Sequence, residues 1–99
     1  MLIYNVTVKV EHEIHEEWFN WMKTIHIPDV MATACFVKNA IYRIQTDETD
    51  GISYAIQYFC ENEKALNDYQ QKFAHQLQKE HLERYQDKFV AFRTLLEEV

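Results

Sequence analysis

The 99 residues include 47% hydrophobic and 14% aromatic side chains, enough apolar surface for one core, which excludes general disorder and leaves no room for a second domain. Sixteen acidic residues against ten basic ones give a formal net charge of −6, and no Lys/Arg cluster supplies the positive patch that duplex nucleic acid or an anionic membrane requires. One glycine, one proline and no apolar run near ~18 residues argue against loop-dominated and membrane-spanning chains, so a single cytoplasmic domain over residues 1–99 is expected.

At the start of the chain Leu2, Tyr4, Val6, Val8 and Val10 alternate with Ile3, Asn5, Thr7 and Lys9, the period of a strand with one buried face. From Ile14 the period lengthens: Ile14, Trp18, Trp21, Met22 and Ile25 form one stripe of an amphipathic helix. Glu11, Glu13, Glu16 and Glu17 lie near its start, where carboxylates oppose the positive end of the helix dipole. Pro28 disfavours helical geometry at Ile27, so this helix is expected to end near His26, with about one more turn after Pro28 through Val30 to Ala34. Residues 36–46 and 52–60 read as two strands of a hairpin around TDETDG, whose Asp50-Gly51 pair suits a positive-φ turn position. In the second of them Ile52, Tyr54, Ile56, Tyr58 and Cys60 share one face and Ser53, Ala55, Gln57 and Phe59 the other. Asn62 suits the cap of the longest helix, in which Leu66, Tyr69, Phe73 and Leu77 keep helical spacing, and Val90, Phe92, Thr94 and Leu96 alternate through a last strand.

The order β-α-β-β-α-β defines an α+β, ferredoxin-like sandwich: two helices cover one face of a four-stranded antiparallel sheet and leave the other open. Assigning the more apolar side of each strand to the helices puts Ile3, Asn5, Thr7, Ile41, Arg43, Ala55, Gln57, Phe59, Ala91 and Arg93 on the open face. Such a mixed surface suits a second copy of the chain, giving a homodimer that encloses a pocket as a dimeric α/β barrel. Cys35 and Cys60 lack CxxC spacing and are expected to be free thiols, as possible cross-strand neighbours.

IYNVTV, EEWFNWMKTIHIPDVM, YAIQYFCE and HLERYQDKFVAFRTLLEE together resemble, over nearly the whole chain, a short bacterial family known only as a domain of unknown function. The WMKTIHIPDV and KFVAFRTLL segments are its most specific parts. That family is similar in turn to the dimeric α/β-barrel superfamily, whose relatives include cofactor-free monooxygenases of antibiotic biosynthesis and muconolactone isomerases. The resemblance implies the fold and the dimer; it transfers no catalytic residue.

Five histidines offer titrating groups near neutral pH. His12 and His15, with Glu16, stand at a spacing that could share a metal, but an acidic first helical turn explains them and no metal is expected. His75 and His81 fall late in the second helix and read as surface residues. His26 stands where the first helix meets the loop to the next strand, and serves either as a general base at a pocket rim or as a cap on free helix carbonyls. Arg43 and Arg93, placed on the open face, either converge on a carboxylate or enolate or pair with acids across a dimer; Asn5 and Gln57 are further ligand contacts there. Trp18 and Trp21 read as core or as a stacking surface for an aromatic ligand.

Three functions fit these features: a ligand-binding or structural homodimer; a cofactor-free enzyme of the monooxygenase or isomerase kind, with His26 as base and an arginine as anion stabiliser; and an RNA-binding module. The first is preferred, with a small anionic or aromatic ligand and no cofactor. The third fails at its motif, because Ile56 stands where a base-stacking aromatic is needed and Tyr4, Tyr54 and Tyr58 should face the helices.

Overall fold

The computed structural model describes residues 1–47 and 49–99. Four strands, β1 (Leu2–Val10), β2 (Lys38–Arg43), β3 (Ile52–Cys60) and β4 (Phe89–Glu97), form one antiparallel sheet in the order β2-β3-β1-β4. Helical segments α1 (His15–Trp21), α2 (Ile27–Met31), α3 (Glu63–Lys72) and α4 (Ala74–Arg84) cover one of its faces. Tyr4, Val8, Trp18, Met22, Val30, Ile56, Tyr58, Leu66 and Tyr69 are buried between the two layers. This is the ferredoxin-like α+β sandwich, with two crossovers that each return over the same face.

The first helix does not stop at His26. Residues Met22–His26 form a π-turn, and the Ile27 N–H bonds back to the Met22 carbonyl, so the helical path runs on into α2 with Pro28 in its first turn. Proline has no N–H to give and its ring crowds the carbonyl four residues earlier, and the wider turn relieves both problems without breaking the helix. The extra residue rotates α2 relative to α1. Ile25, a member of the expected stripe, is 48% exposed, while Ile27 is 6% exposed. The second helix also differs: its backbone breaks at Phe73 (φ −126°) between α3 and α4, after a start capped as expected by the Asn62 side chain, which accepts from the Ala65 N–H at 2.9 Å.

Part of the expected hairpin turn, at Glu48, lies outside the described residues. Gly51 does not adopt positive φ. It is needed for space, because a Cβ there would sit 2.8 Å from the Val10 carbonyl oxygen. Cys35 and Cys60 are free thiols.

β1 and β3 carry the expected faces; β2 and β4 carry the reverse. Residues paired across an antiparallel ladder share a face. Arg93 pairs with Val6 and Ala91 with Val8, while Arg43 pairs with Tyr54 and Ile41 with Ile56, so all four lie on the helix side. The open face therefore holds Ile3, Asn5, Thr7, Ala55, Gln57 and Phe59 as expected, joined by Ala40, Tyr42, Val90, Phe92, Thr94 and Leu96. Assigning the more apolar side to the helices fails on β4 because its more apolar side points away from them.

Candidate functional site

Ala74, Leu77, His81 and Tyr85 recur at helical spacing and all are buried. That stripe carries His81, expected on the surface, into the core at 4% exposure. There the Trp18 Nε1–H donates to His81 Nε2 at 3.0 Å, and the Phe89 ring stacks on the imidazole at 3.9 Å between centroids. A nitrogen that accepts from an indole N–H holds a lone pair, so His81 is neutral with its proton on Nδ1. Burial, with the electrostatic influence of His26 and Arg93 acting in the same sense, pushes its pKa down to about 3.

His26 is its neighbour, with ring centroids 5.4 Å apart, and it stacks on Trp21 at 4.9 Å. Its role as a cap on free carbonyls is gone, since the helix continues past it; the π-turn instead swings its ring inward. Burial pushes its pKa down to about 4; Asp29 works in the opposite sense and Arg93 adds to the lowering. Neither ring nitrogen of His26 has a hydrogen-bond partner among the described residues.

Arg93 completes this group from β4. With His26, His81, Tyr4, Met22 and Tyr69 it bounds a cavity of about 20 Å³ between sheet and helices, room for about one water. Tyr4, Gln78 and Arg93 also line a cleft of about 410 Å³ that opens outward beside β4, with Gln70, Ala74, His75, Thr94 and Leu95 as its other walls. The Gln78 Nε2–H donates to Tyr4 Oη at 3.5 Å, so these three side chains form the partition between the inner cavity and the outer cleft.

Of the residues singled out in the sequence, the structure thus brings together His26 and Arg93. It separates Arg43 from both: β2 and β4 are the two edges of the sheet, and the charge of Arg43 acts instead on His15 and Tyr54. His15 Nε2 and Tyr54 Oη are 2.6 Å apart, and His12 contacts the Thr49 carbonyl at 3.1 Å. Among the described residues no cluster of three or more His, Cys, Asp or Glu is placed to hold a metal. Asn5 and Gln57 are cross-strand partners on the open face, where Asn5 Nδ2–H donates to Thr7 Oγ1 at 3.1 Å. Trp18 and Trp21 are core residues, and Tyr4, Tyr54 and Tyr58 face the helices. His81, Gln78 and Tyr4 went unrecognised as site residues; the 74-77-81-85 spacing was the available signal for the first.

Fold and site together define a ferredoxin-like α+β domain with an open sheet face and a helix-side cleft. The chain belongs to the family described as a domain of unknown function (DUF4286), whose model matches residues 1–99. No protein of curated function matches the sequence. Solved structures share the fold at low identity. A member of the ethyl tert-butyl ether D family from Bacillus halodurans is 12% identical, covers 100% of both chains and superposes with a TM-score of 0.69. A dimeric ferredoxin-like protein from an uncultured marine organism is 12% identical over 100% of this chain and 95% of its own, at 0.68. SnoaB, a cofactor-independent oxygenase from Streptomyces nogalater, is 9% identical over 98% and 92%, at 0.64.

Proposed function

We propose that the protein is a homodimeric small-molecule-binding domain, in which two copies pack sheet to sheet through the open face and each keeps its helix-side cleft for a ligand. One observation carries the dimer: β4 turns Val90, Phe92 and Leu96 away from the helices, at 66%, 63% and 38% exposure, and turns Arg93 toward them. A monomer gains nothing from that orientation, whereas a second sheet covering the face does. Charge does not oppose the packing. Lys38 lies over the Phe59 ring at 4.6 Å and Lys9 pairs with Asp50 at 2.6 Å, so both cations on this face are already engaged. Four strands spaced ~4.8 Å apart and up to nine residues long give a face of roughly 19 by 30 Å, near the scale of a standard interface once side-chain relief is added. A solved relative in fold described as dimeric supports the same reading. Light scattering at micromolar concentration should return twice the 12.0 kDa of one chain; a 12.0 kDa particle would reject it.

A cofactor-free enzyme acting on an aromatic or enolisable compound is the second reading, favoured by an unprotonated His26 beside the inner cavity and by the likeness in fold to a cofactor-independent oxygenase. As a base, an imidazole with a pKa of about 4 is poorly matched to proton abstraction at neutral pH. Oxygen uptake with polyphenol substrates, lost in His26→Gln, would establish this reading over binding alone. A cleft that takes up no small molecule would leave a purely structural dimer.

A further inference from the structure

We propose that the cleft beside β4 binds a small monocarboxylate, with the carboxylate gripped by Arg93 and Gln78 and an apolar or aromatic body resting on Ala74, Leu95 and Tyr4. The inference rests on reading the helix-side cleft as the binding site, and it adds the chemistry of the occupant.

Arg93 brings an unused cation to the cleft. In a chain with sixteen acidic residues and ten basic ones, Lys9, Lys64, Lys79, Arg84 and Lys88 all pair with carboxylates, and Lys23 and Lys38 lie over aromatic rings. The other three have no ion pair or hydrogen bond among the described residues: Lys72, whose cleft also holds Asp29 and Glu80; Arg43, which lines a space of only about 70 Å³; and Arg93, whose guanidinium is a planar fork of five donors suited to a carboxylate. Nothing lining its cleft is acidic, and no other Lys or Arg lines it. Two other surface clefts, of about 380 and 410 Å³, each bring Asp or Glu alongside their lysines and so offer an anion no advantage.

The charge of the site sets the charge of the ligand. Behind Arg93 the two histidines are neutral, His81 by the geometry of its bond from Trp18, and His75 and Tyr4 are the other titratable side chains among the described residues lining the cleft, so the guanidinium is its one permanent charge and one carboxylate balances it. A dicarboxylate or phosphate would bring a second negative charge with no partner. The Gln78 amide, weakly held on Tyr4 at 3.5 Å, supplies a second donor at the same wall. Ala74, Leu95 and the edge of Tyr4 provide the apolar part, and a volume of about 410 Å³ falls in the range of small-ligand pockets.

Benzoate and its neutral counterpart benzyl alcohol test the assignment by NMR titration, following the Arg93 side-chain Nε–H and the Gln78 side-chain amide. The expected result is a saturable shift of both with benzoate at an affinity roughly tenfold or more above that of benzyl alcohol, weakened about tenfold in Arg93→Lys and lost in Arg93→Gln. Because the Arg93 side chain is exposed, both variants should keep the amide spectrum of the fold, which the same data verify. No benzoate shift, equal affinity for the two probes, or unchanged binding by Arg93→Gln would overturn the proposal. Binding of benzyl alcohol alone would overturn the carboxylate while leaving the cleft as a binding site, and the particle mass of the same samples reports the dimer separately.

Discussion

A single indole hydrogen bond fixes the protonation state at the centre of this fold. Trp18 has one N–H and is fully buried, so it needs an acceptor, and His81 Nε2 provides it only while unprotonated. In the unfolded chain each imidazole takes up a proton as the pH falls through 6.5, whereas in the fold His26 does so near 4 and His81 near 3. Protons in that window go to the unfolded state. Stability from these groups is therefore full above pH 6.5 and falls as the pH drops toward 4, by on the order of 3 kcal/mol for His81 at 1.36 kcal/mol per pH unit. His81→Gln keeps an acceptor for Trp18 and removes the titration. Urea unfolding at pH 7, 5.5 and 4 should show the variant losing less stability than wild type over this range, and parallel profiles would contradict the buried neutral imidazole. The sequence places this residue at 77+4, but the apolar stripe ends at Leu77, because a titratable side chain carries no apolar signal of its own.

At the scale of elements, legibility followed the contrast between the two faces. β1 and β3 are central strands with helices on one side, and their alternation names the buried face directly. The edge strands do not. On β4 the outward side carries Val90, Phe92 and Leu96, so apolar content points the wrong way and reverses Arg93. In the first helix the stripe is legible as far as Met22, and then the π-turn inserts a residue that no fixed period anticipates. Pro28 was the visible warning, though it reads more naturally as a stop than as a widened turn. The turn has a measurable signature. Ile27→Ala should cost about 2–5 kcal/mol, as for other buried isoleucines, while Ile25→Gln, at a half-exposed position, should stay within about 0.5 kcal/mol. Chemical denaturation of the two variants checks this, and the reverse order of costs would place the helix in its uninterrupted register.

For the whole molecule, the same inversion on β4 that misdirects a periodicity reading becomes the argument for a partner. The open face presents two mainly apolar bands, one through Phe59, Ile3 and Leu96 with Lys38 at its edge and one through Tyr42, Ala55, Thr7 and Phe92, with Gln57, Asn5 and Thr94 in a row between them. Buried amides cost stability unless bonded, so a second sheet that covers the bands must also satisfy Asn5 and Gln57, and this favours one register over the alternatives. Phe92 sits in one of the bands and is 63% exposed in the single chain, so replacing it with Glu costs the monomer little. In a face-to-face pair the same change buries two uncompensated carboxylates, one from each copy. Phe92→Glu should therefore shift the particle from twice 12.0 kDa to 12.0 kDa at micromolar concentration with the circular dichroism unchanged. Leu82→Glu supplies the control: Leu82 is 55% exposed but lies on α4, on the opposite side of the molecule, and its variant should remain dimeric. A dimer that survives Phe92→Glu but dissociates with Leu82→Glu would move the interface to the helices and leave the apolar side of β4 without an explanation.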